Sequence, residues 1–282
     1  MKTKNLHQTE ALSALTAVQE LAAAFAPISL AEMSGVALLR RTDTKYVMST
    51  WQLCDLLAGL SPHYRILDIN GVRLHDYQTL YFDTPDFALY RRHHSGGLNR
   101  YKVRYRKYVD TDLCFLEVKL KNNKRQTVKS RMRTSCIAAH FDSSTGDFLH
   151  DHVPFDPATI EPKIWNGFRR LTLVSNRRVE RLTIDLDLGF GSGFGSEFSS
   201  QHRDLVWPGL VIAEVKQPKF SVDSEFIQMT RTLGVRPRDF SKYCMGVSEF
   251  YGDEVPHNRF KPNQLLIDNL TAEGQNSYVR SH

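Results

Sequence analysis

The chain has 282 residues, 41% of them hydrophobic, which supports a substantial core in one large domain or two small ones and argues against a disordered class. Lys and Arg outnumber Asp and Glu by 37 to 31, a balance that favours anionic partners without naming one. Cys54, Cys114, Cys136 and Cys244 form no CxxC pair, which argues against a zinc site or a disulfide framework and fits a reducing, cytoplasmic compartment.

Leu12, Leu15, Val18, Ala22 and Phe25 recur at helical spacing and Pro27 closes the segment, so residues 1–27 read as an amphipathic helix packed on something larger. Gln19 and Glu20 interrupt its apolar stretch, and nothing later could span a bilayer. Any membrane role would need peripheral attachment or a membrane partner protein supplied by another chain. A strand over Arg40–Val47 leads to a helix that begins near Ser49 or Thr50 and carries Leu53, Leu56, Leu57 and Leu60. Further strands are expected at Tyr77–Asp83, Arg100–Tyr108, Leu113–Lys121, Gln126–Met132, Leu171–Val174, Arg181–Leu188 and Leu210–Gln217, most of them bounded by Gly, Pro, Asn or Asp. A helix over Ser224–Leu233 is capped by Asp223 or Ser221 and ended by Gly234. No shift in composition divides residues 28–251, and residues 252–282 read as a polar, loosely held tail.

The charge pattern along these strands carries the functional signal. In a strand, successive side chains point to opposite faces. Arg100, Lys102, Arg104 and Arg106 therefore share one face, with Tyr101, Val103 and Tyr105 on the other. Glu117, Lys119 and Lys121 oppose Cys114, Leu116, Val118 and Leu120 in the same way. Arg41, Asp43 and Lys45 share a face, as do Arg181, Thr183, Asp185 and Asp187, and Glu214 with Lys216. If the apolar faces pack outward against helices, the charged faces line a common interior. An α+β fold built on an antiparallel β-barrel or tunnel, with helices packed outside, supplies that geometry. Its cations would need a polyanion such as polyphosphate among them, and its carboxylates would pair with the cations or hold magnesium or manganese, which take oxygen ligands and bridge phosphates.

The segments RTDTKY, YFDTPDFALY, NRYKVRYRKY, LEVKLK, RRVERLTIDLDL, AEVKQ and RDFSKYC resemble, in that order, the motifs of the VTC domain. This is the catalytic domain of polyphosphate polymerases, in the CYTH-like superfamily of triphosphate tunnel metalloenzymes. The resemblance runs from about Arg40 to Gly246. It implies a triphosphate tunnel fold that binds ATP and inorganic polyphosphate and transfers the γ-phosphoryl group with a divalent metal, manganese or magnesium.

Carried over residue by residue, it assigns catalytic cations to Lys45, Arg104, Arg106, Lys119 and Lys242, and the metal to Glu214; among the carboxylates of the charged faces, Glu117 is a second metal candidate. Substrate-binding positions are Arg41, Arg100, Lys102, Lys121, Arg177, Arg181, Lys216 and Ser241. His93, or Arg91 or Arg92 beside it, stands where eukaryotic members carry another basic group. The broader superfamily opens with ExExK, whereas this chain has RTDTK, which puts metal binding by the first strand in doubt and argues against simple hydrolysis. Arg104→Ala or Lys242→Ala is expected to abolish synthesis while leaving the fold largely intact.

Rival readings are a metal-dependent triphosphatase or nucleotide cyclase of the same fold, a non-catalytic polyphosphate binder, and a nucleic-acid-binding module. The last is disfavoured because Tyr101 and Tyr105 fall on the face opposite the arginines, whereas a stacking platform needs both on one surface. GFGSGFGSEF does not fit a P-loop and reads as a strand connection. His150 and His152 read as a solvated loop, and Cys114 and Cys136 as buried strand residues.

Overall fold

The computed structural model describes residues 14–34, 41–124, 126–193, 198–199 and 203–279. Helix α1 covers residues 14–23, with Ala14, Val18 and Ala22 buried, while Leu12 lies outside the described residues. Strand β1 (Ala26–Ile28), helix α2 (Leu30–Ser34) and β2 (Thr42–Ser49) follow. Ser49 ends β2 and starts α3 (Thr50–Leu60) in one step: its hydroxyl accepts from the Gln52 N–H, and its own N–H donates to Gln52 Oε1 at 3.0 Å. Next come β3 (Tyr64–Leu67), β4 (His75–Asp83), α4 (Ala88–His94), β5 (Arg100–Tyr108), β6 (Leu113–Lys121) and β7 (Thr127–Thr134). The second half runs α5 (Ser143–His152), β8 (Glu161–Ser175), β9 (Arg181–Ser192), β10 (Leu205–Trp207), β11 (Leu210–Gln217), α6 (Glu225–Thr232), α7 (Lys242–Phe250) and α8 (Lys261–Val279).

One sheet takes the order β2-β11-β9-β8-β4-β5-β6-β7, all antiparallel, with β3 beside β8, β10 beside β9, and β1 parallel to β3. The edge strands β2 and β7 are not paired with each other. Curvature nevertheless brings the two ends of the sheet together, because the charge of Lys45 on β2 acts on Lys119 of β6. The result is a tunnel with α1, α3, α5 and α6 packed outside.

Its convex face is apolar in two places. Val211, Ala213, Leu182, Ile184, Leu171 and Leu173 pack against α1, α3 and α6 through Val18, Leu53, Leu56, Phe226 and Ile227. Val103, Tyr105, Leu116 and Val118 pack against Leu149 of α5 and against Val153 and Ile160. Each fully buried Leu there stabilises the fold by roughly 1.5–3 kcal/mol. The concave face is not uniformly charged. At Val47, Ile212, Phe190, Ile164, Phe168, Tyr77 and Tyr81 it is apolar, and α7 fills that part with Tyr243, Cys244, Met245 and Val247.

Several elements differ from the sequence reading. β8 begins at Glu161, not Leu171, because Pro162 and Gly167 hide a strand whose partners β4 and β9 supply its ladder on both sides. Ser224, not Asp223 or Ser221, caps α6. Residues 261–279 form α8 rather than a loose tail, and Phe260, Ile267 and Leu270 are buried in the α7 core; residues 280–282 lie outside the described residues. Cys136 is exposed just beyond β7, whereas Cys114 is buried. His150 and His152 lie on α5 rather than in a loop.

β9 also carries an extra residue between its pairings with Gly167 and Arg169, where Asp187 adopts φ 52. This bulge reverses the alternation. Asp185 stays inward, Leu188 and Phe190 turn inward after it, and Asp187 leaves that face to meet Arg203 at 2.9 Å and Arg169 at 3.8 Å. The glycine-rich run has a packing role: a side chain at Gly167 would meet the Phe198 ring at 2.6 Å, and that ring stacks on Trp165 with centroids 5.5 Å apart. Residues 194–197 of the run lie outside the described residues.

Candidate functional site

Three lysines converge from three strands. Lys45 of β2 donates to the Phe240 carbonyl at 2.7 Å, and Lys102 of β5 donates to the Ser241 hydroxyl at 2.8 Å, so both are seated on the same short segment ahead of α7. Lys119 of β6 lies opposite Lys102. Burial, and then the charges of Lys102 and Lys45, push the Lys119 ammonium down to about 7, against the opposing pull of Glu214. Ser241 also caps α7, accepting from the Cys244 N–H at 3.2 Å. The segment is held from below by Asp83, which is fully buried and accepts from the N–H groups of Leu89 and Tyr90 at 2.8 Å and from the Tyr243 hydroxyl. The Asp of YFDTPDF and the Tyr of SKYC are thus a structural tie between α4 and α7.

The arginines are set by carboxylates. Arg104 donates from Nε to Glu117 at 2.9 Å and from Nη1 to the Tyr81 hydroxyl at 3.0 Å, while its Nη2 lies 2.7 Å from the same carboxylate. Lys129 of β7 holds the other Glu117 oxygen. Burial raises the Glu117 carboxyl, but Arg104, Arg106 and Lys129 outweigh it and hold the group well below the carboxylate range. The same balance, struck by Arg170 and Lys242, applies to Asp185. Arg170 grips Asp185 at 2.5 and 2.8 Å, Lys242 pairs with the second oxygen, and the Lys242 ammonium lies 4.2 Å from the Phe168 ring centroid. Burial lowers Lys242 to about 8 although Asp185 opposes it. Burial also raises Tyr81, but Arg104, Arg106, Lys102 and Lys242 bring it to about 8.

The other expected residues fall into three groups. Arg106 and Arg181 face the interior with Nε atoms that are buried and lack a hydrogen-bond partner. Two such orphaned donors in a cationic interior suit phosphate oxygens. Lys216 is buried against Glu214, and Arg41 bonds Asp43 at 3.0 Å at the start of β2. Arg100 and Lys121 lie opposite each other at the outer ends of β5 and β6, and Arg177 lies in the exposed β8–β9 turn, away from the centre. His93 reaches the interior but lies 3.1 Å from the Cys244 sulfur, and burial with Lys102 and Arg100 drives its imidazole down to about 2. It is neutral, so it offers a hydrogen bond and not a charge. Arg91 and Arg92 are exposed and bond backbone carbonyls of Asp86, Glu254 and Leu98.

Sequence reasoning missed Arg170 and Lys129. In Arg169-Arg170 the pair of adjacent arginines gave no clue to which faces inward once the strand itself was hidden. Lys129 was legible in the alternation of KSRMR, which repeats the grammar of RYKVRYR.

For a divalent cation the donor set offers Glu214, whose carboxylate lies beside Lys45 at 3.9 Å and bonds Lys216. Burial raises that carboxyl, but Lys216 and Lys45 dominate and keep it ionised. A hard cation there would displace one ammonium. Among the described residues no three acidic, His or Cys side chains converge, so its remaining ligands would be phosphate oxygens and water. Glu117 is 1% exposed with both oxygens held by cations, and serves to orient Arg104.

The site is thus the concave face of a curved antiparallel sheet, with cations across it, a few carboxylates paired among them, α1, α3, α5 and α6 packed outside and α7 against part of the inside. The chain belongs to the VTC domain family, which it matches over residues 40–251. That family places it among proteins that act on polyphosphate or on triphosphates. Among solved structures it is similar to a Bacillus halodurans protein designated an adenylate cyclase, at 14% identity over 75% of this chain and 97% of that one, with a TM-score of 0.47. A Hippeastrum protein designated an adenylyl cyclase and described with a dominant triphosphatase activity matches at 15% identity over 73% and 95%, with a TM-score of 0.44. A Pyrococcus horikoshii protein matches at 10% identity over 74% and 96%, with a TM-score of 0.41. No curated protein matches. Among the described residues no helix is long and apolar enough to cross a membrane.

Proposed function

We propose that the chain is a polyphosphate polymerase, which transfers the γ-phosphoryl group of ATP to the end of an inorganic polyphosphate chain inside the tunnel. The observation that carries this reading is the convergence of Lys45, Lys102 and Lys119, where burial, and then the charges of Lys102 and Lys45, bring Lys119 to about 7. A multiply charged anion relieves that repulsion, and a chain of phosphates does so along the whole interior. The absence of a carboxylate pair in RTDTKY supports transfer over hydrolysis.

The chemistry suits fixed cations. The terminal phosphate oxygen of the acceptor is already ionised, so its attack on the γ-phosphorus needs no general base. A P–O bond forms to the acceptor as the bond to the β-phosphate bridging oxygen breaks, and ADP leaves. Positioning and charge stabilisation do the rest. Lys45, Lys102, Lys119 and Lys242 act as point charges, while Arg104 and Arg106 present planar forks. A metal at Glu214, when bound, supplies further charge neutralisation between phosphates.

Incubating the pure chain with ATP and manganese and resolving the products on a gel tests the reading. Long-chain polyphosphate is expected, and free phosphate alone would mean hydrolysis. For Glu214→Gln, half-maximal activity should need about tenfold more manganese, since one anionic oxygen ligand is lost. An unchanged manganese titration would remove Glu214 from the metal site.

A further inference from the structure

The register carries the cationic rows beyond the buried centre. Directly opposite residues on antiparallel strands share a face. Lys102 lies opposite Lys119 and then Lys129, Arg104 opposite Glu117 and then Arg131, Arg106 opposite Phe115 and then Arg133. Edge strand β7 therefore presents Lys129, Arg131 and Arg133 on the concave side, spaced about 6.8 Å apart. The Arg131 guanidinium lies 4.8 Å from the Phe115 ring centroid, which confirms that direction. The other side of β7 carries Val128, Ser130, Met132 and Thr134, with no charge.

Lys129 is committed to Glu117. Arg131 and Arg133 are exposed, and among the described residues no acidic side chain lies within ion-pair distance of either. Edge strands do carry charge to block pairing with other sheets. That role is served from either face, and it gives no reason for every cation to fall on the concave side in register with the tunnel rows.

We propose that β7 is an external rail for polyphosphate, on which Arg131 and Arg133 hold the part of a long chain that extends past the Lys45–Lys102–Lys119 centre. The proposal rests on the polyphosphate reading above. The three phosphates of ATP are satisfied at the centre and gain nothing from the rail. A long chain gains two further phosphate contacts, which retain it between additions. Each contact releases a condensed counterion, so the gain is salt-sensitive.

The test titrates the full chain and its Arg131→Gln/Arg133→Gln variant with tripolyphosphate and with long-chain polyphosphate at several salt concentrations. Affinity for tripolyphosphate should stay within about twofold, while long-chain affinity falls roughly tenfold or more and its salt slope shrinks by about one to two. Equal weakening of both ligands, or no weakening of the long chain, overturns the rail. A wild-type chain that makes polymer while the variant binds long chains normally sinks the rail alone. A wild-type chain that makes no polymer and binds long chains no better than tripolyphosphate sinks both the rail and the reading beneath it.

Discussion

Arg104→Ala is expected to lose polymer synthesis and a large part of the fold's stability together. Sequence reasoning treats Arg104 as an inward cation whose removal spares the fold, but its guanidinium is the principal partner of a Glu117 carboxylate that is 1% exposed. Removing one member of a buried pair leaves an uncompensated charge and costs about 3–5 kcal/mol. Lys129 still holds one Glu117 oxygen, which points to the lower end, about 3 kcal/mol. Urea unfolding should show a lower midpoint. The Arg104→Ala/Glu117→Gln double variant should recover much of that stability without recovering synthesis, because the buried charge is gone but the fork is not restored. A wild-type midpoint for Arg104→Ala would show that the pair does not support the fold.

Lys119→Met should move stability and function in opposite directions. In the free protein the Lys119 ammonium is held down to about 7 by burial and by Lys102 and Lys45, so replacing it with an apolar chain of similar length relieves the cluster. The melting temperature of the unliganded variant should rise, while affinity for ATP and tripolyphosphate should fall by roughly tenfold or more, the cost of one charge-assisted contact.

The sign with pH follows. Above about 7 the folded state binds fewer protons at Lys119 than the unfolded state, whose lysines titrate near 10.5, so wild-type stability gains from rising pH across that window. The advantage of Lys119→Met is therefore largest below neutrality and shrinks as pH rises. Ligand binding at pH 8 should take up a proton in wild type and less in the variant, measurable by calorimetry in buffers of different ionisation enthalpy. A melting temperature lower than wild type at pH 6 would contradict the repulsion argument.

The strands that lined the interior were legible because alternation of period two is a local property. Arg100–Tyr108, Leu113–Lys121 and Leu210–Gln217 have the expected bounds, and their charged residues other than Lys107 share the concave side. What sequence could not show were features set by partners distant in the chain. The bulge at Asp187 turns that carboxylate away from Asp185, and no local pattern announces it. β8 reads as interrupted because its stability comes from neighbours on both sides. The concave face reads as wholly charged until α7 is seen to fill part of it with Tyr243, Met245 and Val247. His93 reads as a basic group, but burial, and then the charges of Lys102 and Arg100 from β5, keep it neutral.

The two edge strands of the sheet share no backbone ladder. A cylinder left unzipped along one side has no girth fixed by peptide hydrogen bonds. Across that gap the two sides meet on the segment ahead of α7, where Lys45 of β2 holds the Phe240 carbonyl and Lys102 of β5 holds the Ser241 hydroxyl. The width of the interior is therefore set there by two side chains seated on one loop, not by a ladder of backbone hydrogen bonds.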